Sequence, residues 1–247
     1  MGFAYDMKNI RIGTCGFRNT KEEYAEVLST VEIQHTFYQP PQIVTLEKWR
    51  AAMPTDFEFT LKAWQLITHE SSSPTYKRLK RKLSEKELEE SGFFKPTDIV
   101  KEALEMTLAC AKALKARTIL FQCPAKFTPL PENIANMMQF FHGIRRGKLN
   151  FAWEPRGPQW TDDLVRDICK ELDLWHTVDP FARPTVTPKH CYFRMHGIPR
   201  WRYTYEDSEL EELATMFPKR SIGYAFFNNI TMRQDAMRFR KIVESEQ

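Results

Sequence analysis

The chain has 247 residues, of which 42% are hydrophobic and 28% are charged. This composition is typical of a globular protein with a sizeable core, and it excludes a disordered or low-complexity chain. The length suits one α/β barrel. The formal net charge of +4 allows an anionic partner but does not require one.

Cysteine spacing and hydropathy indicate the cellular compartment in which we expect the protein. The five cysteines are odd in number, widely spaced and without a C-x-x-C pair, so they indicate neither a disulfide framework nor a zinc knuckle. The N-terminal residues MGFAYDMKN lack the apolar core of a signal peptide, and no apolar run reaches membrane-spanning length. We therefore expect a cytoplasmic protein that does not interact with membranes.

Short β-branched and aromatic segments alternate with helical patterns along the whole chain. The predicted strands cover residues 10–16, 31–37, 57–63, 117–123, 149–155, 174–179, 190–197 and 221–229. The predicted helices cover residues 20–29, 43–53, 97–115, 131–143, 161–172, 206–216 and 231–245. Eight strands that alternate with helices predict a (β/α)8 TIM barrel, and we expect residues 1–247 to form a single domain. The alternative is an open doubly wound sheet, but that fold needs a more glycine-rich turn than GTCGF after the first strand.

Two segments depart from this alternation. Residues 70–96 form a charged insertion between the third strand and its helix, in which Ser84 and Glu87 have the spacing of a capping box. Because the insertion follows a strand, it is expected at the carboxyl end of the barrel, where TIM barrels bind their ligands. The crossover after the sixth strand, FARPTVTPK, contains too many turn formers and helix breakers for a helix, so we expect it to be irregular.

Every predicted strand finishes in a polar or ionisable group. Lys62, Glu154 and Arg194 are the most informative, because period two places each on the same face as interior positions of its strand. Buried charges are costly unless they are paired, so we expect these three side chains to form a mutually satisfied cluster in the barrel. His196 lies two residues after Arg194 and should share its face.

Glu32 lies deeper in the second predicted strand than the other charged groups. A carboxylate at this position needs a cationic partner, and Arg11 and Lys62 are the candidates, with a structural pairing favoured over direct chemistry. His35 has the opposite parity and is expected to face the helices.

The loops that follow the strands add cations and aromatic rings. GIPRWRYTYED carries Arg200, Trp201 and Arg202, a pattern that suits stacking on a ring or base while the charges hold phosphate. PRGPQW supplies Arg156 and Trp160, and the pair Asn228 and Asn229 precedes the last helix, where it can offer amides to an anion. The cations outnumber Glu154 and Asp179, which favours an anionic ligand.

Seven ordered motifs resemble one known family. GTCGF, VEIQHTFYQPP, FTLKAWQLITH, LFQCPAKF, FAWEPRGPQW, YFRMHG and YAFFNN are similar to motifs of the YecE-like family, also called domain of unknown function 72. The resemblance implies a TIM barrel and marks the positions Glu32, Thr36, Tyr38, Lys62, Gln122, Glu154, Arg156, Arg194, His196, Gly197, Asn228 and Asn229. The chain departs from the family pattern at Cys15, Phe17, Gln34, His35 and Pro155, which weakens any role for a first-strand serine or a second-strand asparagine.

The family has no established biochemical function, although its barrel is similar to endonuclease IV-like barrels that act on DNA phosphodiesters. That similarity is an analogy at the level of the fold.

Three functions fit these observations. The first is an enzyme that acts on an anionic, phosphate-containing substrate, with Glu154 or Asp179 as general base and His196 as acid or orienting group. Lys62, Arg156 and Arg194 would stabilise negative charge on a phosphoryl group. The expected substrate-binding residues are Glu32, Thr36, Tyr38, Gln122, Arg156, Trp160, Gly197, Trp201, Asn228 and Asn229. The alternatives are a nucleic-acid-binding protein without catalysis and a scaffold for protein interactions.

We expect no cofactor and no resident metal. A divalent ion on Glu154, Asp179 and His196 is the alternative, but the neighbouring lysine and arginine side chains would repel it. The partner is expected to be an anionic small molecule or a nucleic acid, and the sequence gives no information on the oligomeric state.

Overall fold

The computed structural model describes residues 9–198 and 200–245, and it shows a closed barrel of eight parallel strands. The strands follow one another around the barrel in chain order, from β1 to β8. Their bounds are β1 Ile10–Cys15, β2 Thr30–Ile33, β3 Glu58–Lys62, β4 Thr118–Gln122, β5 Asn150–Glu154, β6 Leu174–Val178, β7 His190–Met195 and β8 Ile222–Phe227. The predicted (β/α)8 TIM barrel is confirmed, and the open doubly wound alternative is wrong.

Helices connect most of the strands. Their bounds are α1 Lys21–Ala25, α2 His35–Tyr38, α3 Ile43–Ala51, α4 Gln65–Thr68, α5 Glu85–Glu90, α6 Asp98–Leu114, α7 Pro131–His142, α8 Asp162–Glu171, α9 Asp207–Thr215 and α10 Met232–Ser245, with a 3-10 helix at Pro74–Arg78. Thr20 and Thr161 cap α1 and α8 by accepting hydrogen bonds from backbone N–H groups of the first turn. Within the described residues no helix is long and apolar enough to cross a membrane.

The second strand is shorter than its sequence predicts. Residues 31–37 have a strand-like composition, but β2 ends at Ile33 and α2 begins at His35. The Thr36 hydroxyl lies close to two backbone carbonyls, that of Ile33 at 3.2 Å and that of Lys62 at 2.6 Å, and these bonds stabilise a helical turn here. Strand parity predicts that His35 faces the helices as a core residue, and this is wrong, because residue 35 begins α2 and is exposed, with its ring edge-on to Trp49 of α3.

The two irregular segments have the local structure that the sequence predicts. In the insertion, Ser84 and Glu87 form the predicted capping box at the start of α5. No helix occurs between β6 and β7 in the described chain, and the backbone carbonyl of Asp179 instead accepts the N–H groups of Ala182 and Arg183 in a turn.

The chain divides into two compact units. The described part of the first comes from Met1–Glu32, Ala52–Glu58 and Trp175–Gln247, and that of the second from Ile33–Ala51 and Phe59–Leu174. The first unit buries tyrosine and phenylalanine rings of β7 and β8, including Tyr192 and Phe226, whose centroids lie 5.3 Å apart. The second unit has a phenylalanine cluster in which Phe121 of β4 contacts Phe94, Phe141 and Phe151.

Candidate functional site

Four polar side chains at the carboxyl ends of three consecutive strands form what we call the β3–β5 network: Lys62, Gln122, Glu154 and Arg156. Gln122 of β4 and Glu154 of β5 are direct partners in the parallel register. This pairing places the two side chains side by side, because opposite residues of neighbouring strands point to the same face of the sheet. The network belongs entirely to the second unit.

Gln122 is the centre of the β3–β5 network. Its amide oxygen accepts a hydrogen bond from Lys62 Nζ, and its Nε2 donates to Glu154 Oε1 at 2.6 Å. Arg156 donates to the same carboxylate oxygen from Nε at 3.0 Å and from Nη2 at 2.8 Å. Lys62, Gln122 and Glu154 are buried, whereas the Arg156 side chain is 46% exposed. Arg156 therefore connects a buried polar chain to the surface.

Aromatic rings and a neutral histidine surround the Lys62 ammonium. Its Nζ lies 3.5 Å from the centroid of the Phe37 ring, a cation–π contact. His69 packs edge-on against Phe37, and its Nδ1 shares a hydrogen bond of 2.8 Å with the Thr68 hydroxyl. Burial, and then the positive charges of Lys62 and Arg156, lower the pKa of His69 to about 3. The imidazole is therefore neutral at physiological pH and adds no positive charge.

A second set of contacts, the β6–β7 network, belongs to the first unit: Glu32, Asp179, Tyr192, Arg194 and His196. Its deepest part is a buried ion pair, in which Arg194 Nη2 donates to Glu32 Oε1 at 2.9 Å. The Tyr192 hydroxyl donates to the other oxygen of Glu32 at 2.7 Å. The buried carboxylate thus receives a charged and a neutral hydrogen bond.

His196 lies between a carboxylate and a guanidinium. Its Nδ1 is 3.5 Å from Asp179 Oδ2, and its Nε2 is 3.4 Å from Arg194 Nη1. Because arginine only donates, Nε2 must be the acceptor, and the ring proton of the neutral form lies on Nδ1, which faces Asp179. The backbone N–H of His196 also donates to Asp179 Oδ2 at 2.8 Å. This arrangement fixes the orientation and the tautomer of a partly exposed imidazole.

Cys15 is the group of the first strand that meets the β6–β7 network. Arg194 Nη2 is 3.6 Å from its sulfur. Burial, and then the negative charge of Glu32, raise the pKa of the Cys15 thiol well above its ordinary value, so the thiol stays protonated. A protonated, buried thiol does not act as a nucleophile.

Other predicted site residues have mainly structural contacts. Thr36 holds the turn after β2, and Tyr38 is half-buried beneath the Arg78 guanidinium, whose Cζ is 3.4 Å from its ring centroid. The Trp160 indole is buried against Phe127 and donates to the Phe127 carbonyl at 2.7 Å. Trp160 therefore contributes to the core of the second unit, and its predicted contact with substrate has no support in its packing.

Gly197 and the asparagine pair lie in loops of the first unit. Gly197 has φ of +88° and donates its N–H to the Tyr205 hydroxyl at 2.9 Å. The backbone N–H of Asn228 donates to the Met195 carbonyl at 2.8 Å. Asn229 Nδ2 donates to the Tyr203 carbonyl at 2.8 Å and to an Asp235 carboxylate oxygen at 2.6 Å, so its amide hydrogens join two loops rather than point to a free anion seat.

Glu32 has the cationic partner that the sequence requires, and its ion pair with Arg194 was not among the two candidates named. Arg11, one of the two candidates, instead forms an ion pair with Glu58 at 3.2 Å. The sequence interpretation also missed Tyr192 and His69. Tyr192 has the parity of Arg194, and this signal could have identified it, whereas His69 follows the strand in a segment without a periodic pattern.

Lys62, Glu154 and Arg194 were expected to form one cluster, and their described contacts fall into two sets. Lys62 and Glu154 are connected through Gln122, and Arg194 pairs with Glu32. Across residues 9–198 and 200–245, no group of three or more His, Cys, Asp and Glu side chains is placed to hold a metal ion. The absence of a resident metal stays a prediction.

Comparisons with known proteins extend these observations. The family model described as "Protein of unknown function DUF72" matches residues 14–246. A DUF72 family protein from Enterococcus faecalis V583 has 24% identity and a TM-score of 0.72, over 95% of this chain and 97% of that chain. One from Thermotoga maritima MSB8 has 20% identity and a TM-score of 0.70, over 95% of this chain and 99% of that chain.

A more distant barrel shares only the fold. Endonuclease IV from Thermus thermophilus has 10% identity and a TM-score of 0.51, over 96% of this chain and 98% of that chain. No curated protein matches the chain. Because the family model covers nearly the whole chain, the resemblance predicted from the motifs is confirmed, and the protein belongs to the DUF72 family of proteins of unknown function.

Proposed function

We propose that this protein is an enzyme that acts on an anionic, phosphate-containing substrate at the β3–β5 network. The observation that carries the proposal is the pair of cations in this network: Arg156 bonds directly to the carboxylate of Glu154, and Lys62 is connected to it through Gln122. His69 beside them stays neutral, since burial holds its pKa at about 3. Lys62 and Arg156 place two cationic groups at neighbouring strand ends, an arrangement that favours an anionic ligand.

The burial of the network strengthens the electrostatic interactions of its charged groups. Electrostatic interactions are several times stronger in a poorly hydrated site than in water, and donors that are already oriented need no reorganisation during the reaction. Lys62 is held by Gln122 and by the Phe37 ring, and Arg156 is held by two hydrogen bonds to Glu154. Both cations are therefore oriented before a ligand arrives.

Glu154 is the general base in this proposal. In hydrolysis of a phosphoester, the carboxylate removes a proton from a water molecule, the water oxygen bonds to phosphorus, and the ester P–O bond breaks as the leaving oxygen takes up a proton from solvent, to which the carboxylic acid later returns its own. Lys62 and Arg156 would stabilise the negative charge on the phosphoryl oxygens. Arg156 is the group best able to make the first contact, because its side chain is 46% exposed.

Binding and catalysis can be tested separately. Inorganic phosphate at about ten times its dissociation constant should stabilise the folded protein by about 1.4 kcal/mol, measured as a shift in Tm. Lys62→Met should abolish this shift. Lys101→Met is the matched control, because Lys101 is exposed and pairs with Asp98 three residues earlier on α6. An equal phosphate shift in wild type and Lys62→Met would exclude the β3–β5 network as the anion site.

Catalysis is measured with p-nitrophenyl phosphate and bis(p-nitrophenyl) phosphate. Glu154→Gln preserves the shape of the side chain but cannot accept a proton, so it should lower kcat by about 10²-fold to 10⁴-fold. Glu105→Gln, an exposed position on α6, is the control. If Glu154→Gln turns over both substrates at the wild-type rate, Glu154 is not the base. If the wild type binds phosphate but hydrolyses neither compound, the network is a binding site without phosphoesterase activity.

A further inference from the structure

Two apolar side chains of the first unit are exposed next to each other. Trp201, in the loop after β7, is 52% exposed, and Ile230, in the loop after β8, is 49% exposed. The Ile230 N–H donates to the Trp201 carbonyl at 2.7 Å, so the two residues are in direct backbone contact. An exposed tryptophan leaves a large apolar area in water, and such a position is typical of a binding surface.

Buried polar contacts hold this surface in place. Asn229, which precedes Ile230, is buried and donates from Nδ2 to the Tyr203 carbonyl and to Asp235 of α10. The Thr231 hydroxyl donates to the same Asp235 oxygen at 2.7 Å. Trp201 is therefore presented by two loops that are fixed to each other and to a helix, so little ordering entropy would be lost on binding.

The charges around Trp201 are positive and not neutralised. Arg200 and Arg202 are both exposed, and neither forms an ion pair with any residue that the structure describes. The Arg202 guanidinium lies 5.3 Å from the centroid of the Trp201 ring. Glu206 and Glu209 follow in the chain, and their carboxylates accept backbone N–H groups in the capping box at the start of α9.

We propose that Trp201, Arg200 and Arg202 bind a single-stranded nucleic acid, with a base stacked on the indole and the neighbouring phosphates held by the two guanidinium groups. Aromatic stacking and unpaired cations on the same loop are the two elements of such sites. Among the described residues of this surface, the exposed large apolar side chains are Trp201 and Ile230, an area too small for a stable protein interface or for insertion into a membrane. The proposal involves the first unit alone and does not depend on the β3–β5 network.

The experiment is a fluorescence anisotropy titration of a labelled deoxythymidine decamer. We expect Trp201→Ala to weaken binding by about tenfold, as stacking of one base requires, and Trp201→Phe to restore most of the affinity. Two phosphate contacts predict a slope of log K against log salt of about −1.4, and Arg200→Gln or Arg202→Gln should each make the slope shallower by about 0.7. Arg145→Gln, an exposed arginine just before β5, and Leu130→Ala, an exposed leucine, should leave the affinity and the slope unchanged.

An abasic decamer of the same length separates stacking from charge alone. Wild type should bind it about tenfold more weakly than the thymidine decamer, and Trp201→Ala should bind both equally. The proposal is overturned if Trp201→Ala and the wild type have the same affinity for the thymidine decamer, or if the abasic decamer binds the wild type equally well. It is also overturned if the decamer does not bind at low salt, whether or not vesicles of phosphatidylserine or a protein partner bind instead.

Discussion

Replacement of Arg194 by methionine is the sharpest test of the β6–β7 network. Arg194→Met removes the charge while keeping a long, flexible and apolar side chain. Glu32 would then be a fully buried carboxylate that has lost its partner at 2.9 Å and retains the hydrogen bond from Tyr192 at 2.7 Å. We expect the folded state to be strongly destabilised, because a buried charge without its counter-charge costs more than the pair contributes.

The size of the effect follows from the burial of both groups. Removal of one partner of a buried ion pair typically costs about 3–5 kcal/mol, and for a chain of this length each kcal/mol lowers Tm by roughly 2–4 °C, so Tm should fall by about 6–20 °C. Tyr192→Phe removes one hydrogen bond to the same carboxylate and should cost less, about 1.5–3 kcal/mol. Glu32→Gln combined with Arg194→Met removes both charges, and this double variant should be more stable than Arg194→Met alone.

Urea unfolding followed by circular dichroism gives these free energies for the wild type, the single variants and the double variant. The double-mutant cycle isolates the coupling between Glu32 and Arg194, which should be at least about 1.5 kcal/mol for a close, desolvated pair. A loss below about 1 kcal/mol for Arg194→Met, together with additive single effects, would refute the conclusion that this buried ion pair stabilises the folded protein.

Three further predictions follow from single residues. Burial lowers the pKa of His69 to about 3 from 6.5, so between these values the unfolded chain binds a proton that the folded chain excludes. Stability should therefore fall by up to about 1.4 kcal/mol per pH unit below 6.5 in urea titrations, and His69→Gln should flatten this loss while the exposed His142→Gln does not. Ser84→Ala removes the capping box of α5 and should speed its amide hydrogen exchange about fivefold, equivalent to about 1 kcal/mol, with no change elsewhere. Gly223→Ala would place a Cβ 1.8 Å from a carbonyl oxygen of β7 and should cost about 3 kcal/mol or more in urea unfolding, whereas Gly147→Ala, which meets no atom within 4 Å, should cost about 1 kcal/mol.

The strands were largely predictable because their signals are local. Each of the eight predicted strands overlaps an observed one, since β-branched and aromatic residues bounded by turn formers seldom occur elsewhere. The end of β2 was not predictable in this way, because the residues after Ile33 keep a strand-like composition. There the Thr36 hydroxyl bonds to the carbonyl of Lys62, which is distant in sequence, and the resulting helical turn overrides local propensity.

The members of the candidate site were more predictable than their partners. Parity correctly assigned Lys62 and Glu154 to buried positions at strand ends, because a side-chain period of two follows from the backbone alone. The partner of Glu32 depends on the stagger between strands, and Arg194 is 162 positions away in the chain. Parity admits several cations to the same face, and only the observed register distinguishes Arg194 from Arg11.

The two networks hold their cations by different contacts, which the residue types at the strand ends do not predict. In the β6–β7 network the deepest cation, Arg194, is matched by a carboxylate that also receives the Tyr192 hydroxyl, and this pairing accounts for its charge. In the β3–β5 network Arg156 contacts the carboxylate of Glu154 directly, and Lys62 is connected to it through the amide of Gln122. Cationic groups, a carboxylate and an amide beside a neutral histidine form an arrangement that is common at functional sites, and this supports the proposal of an anionic ligand there.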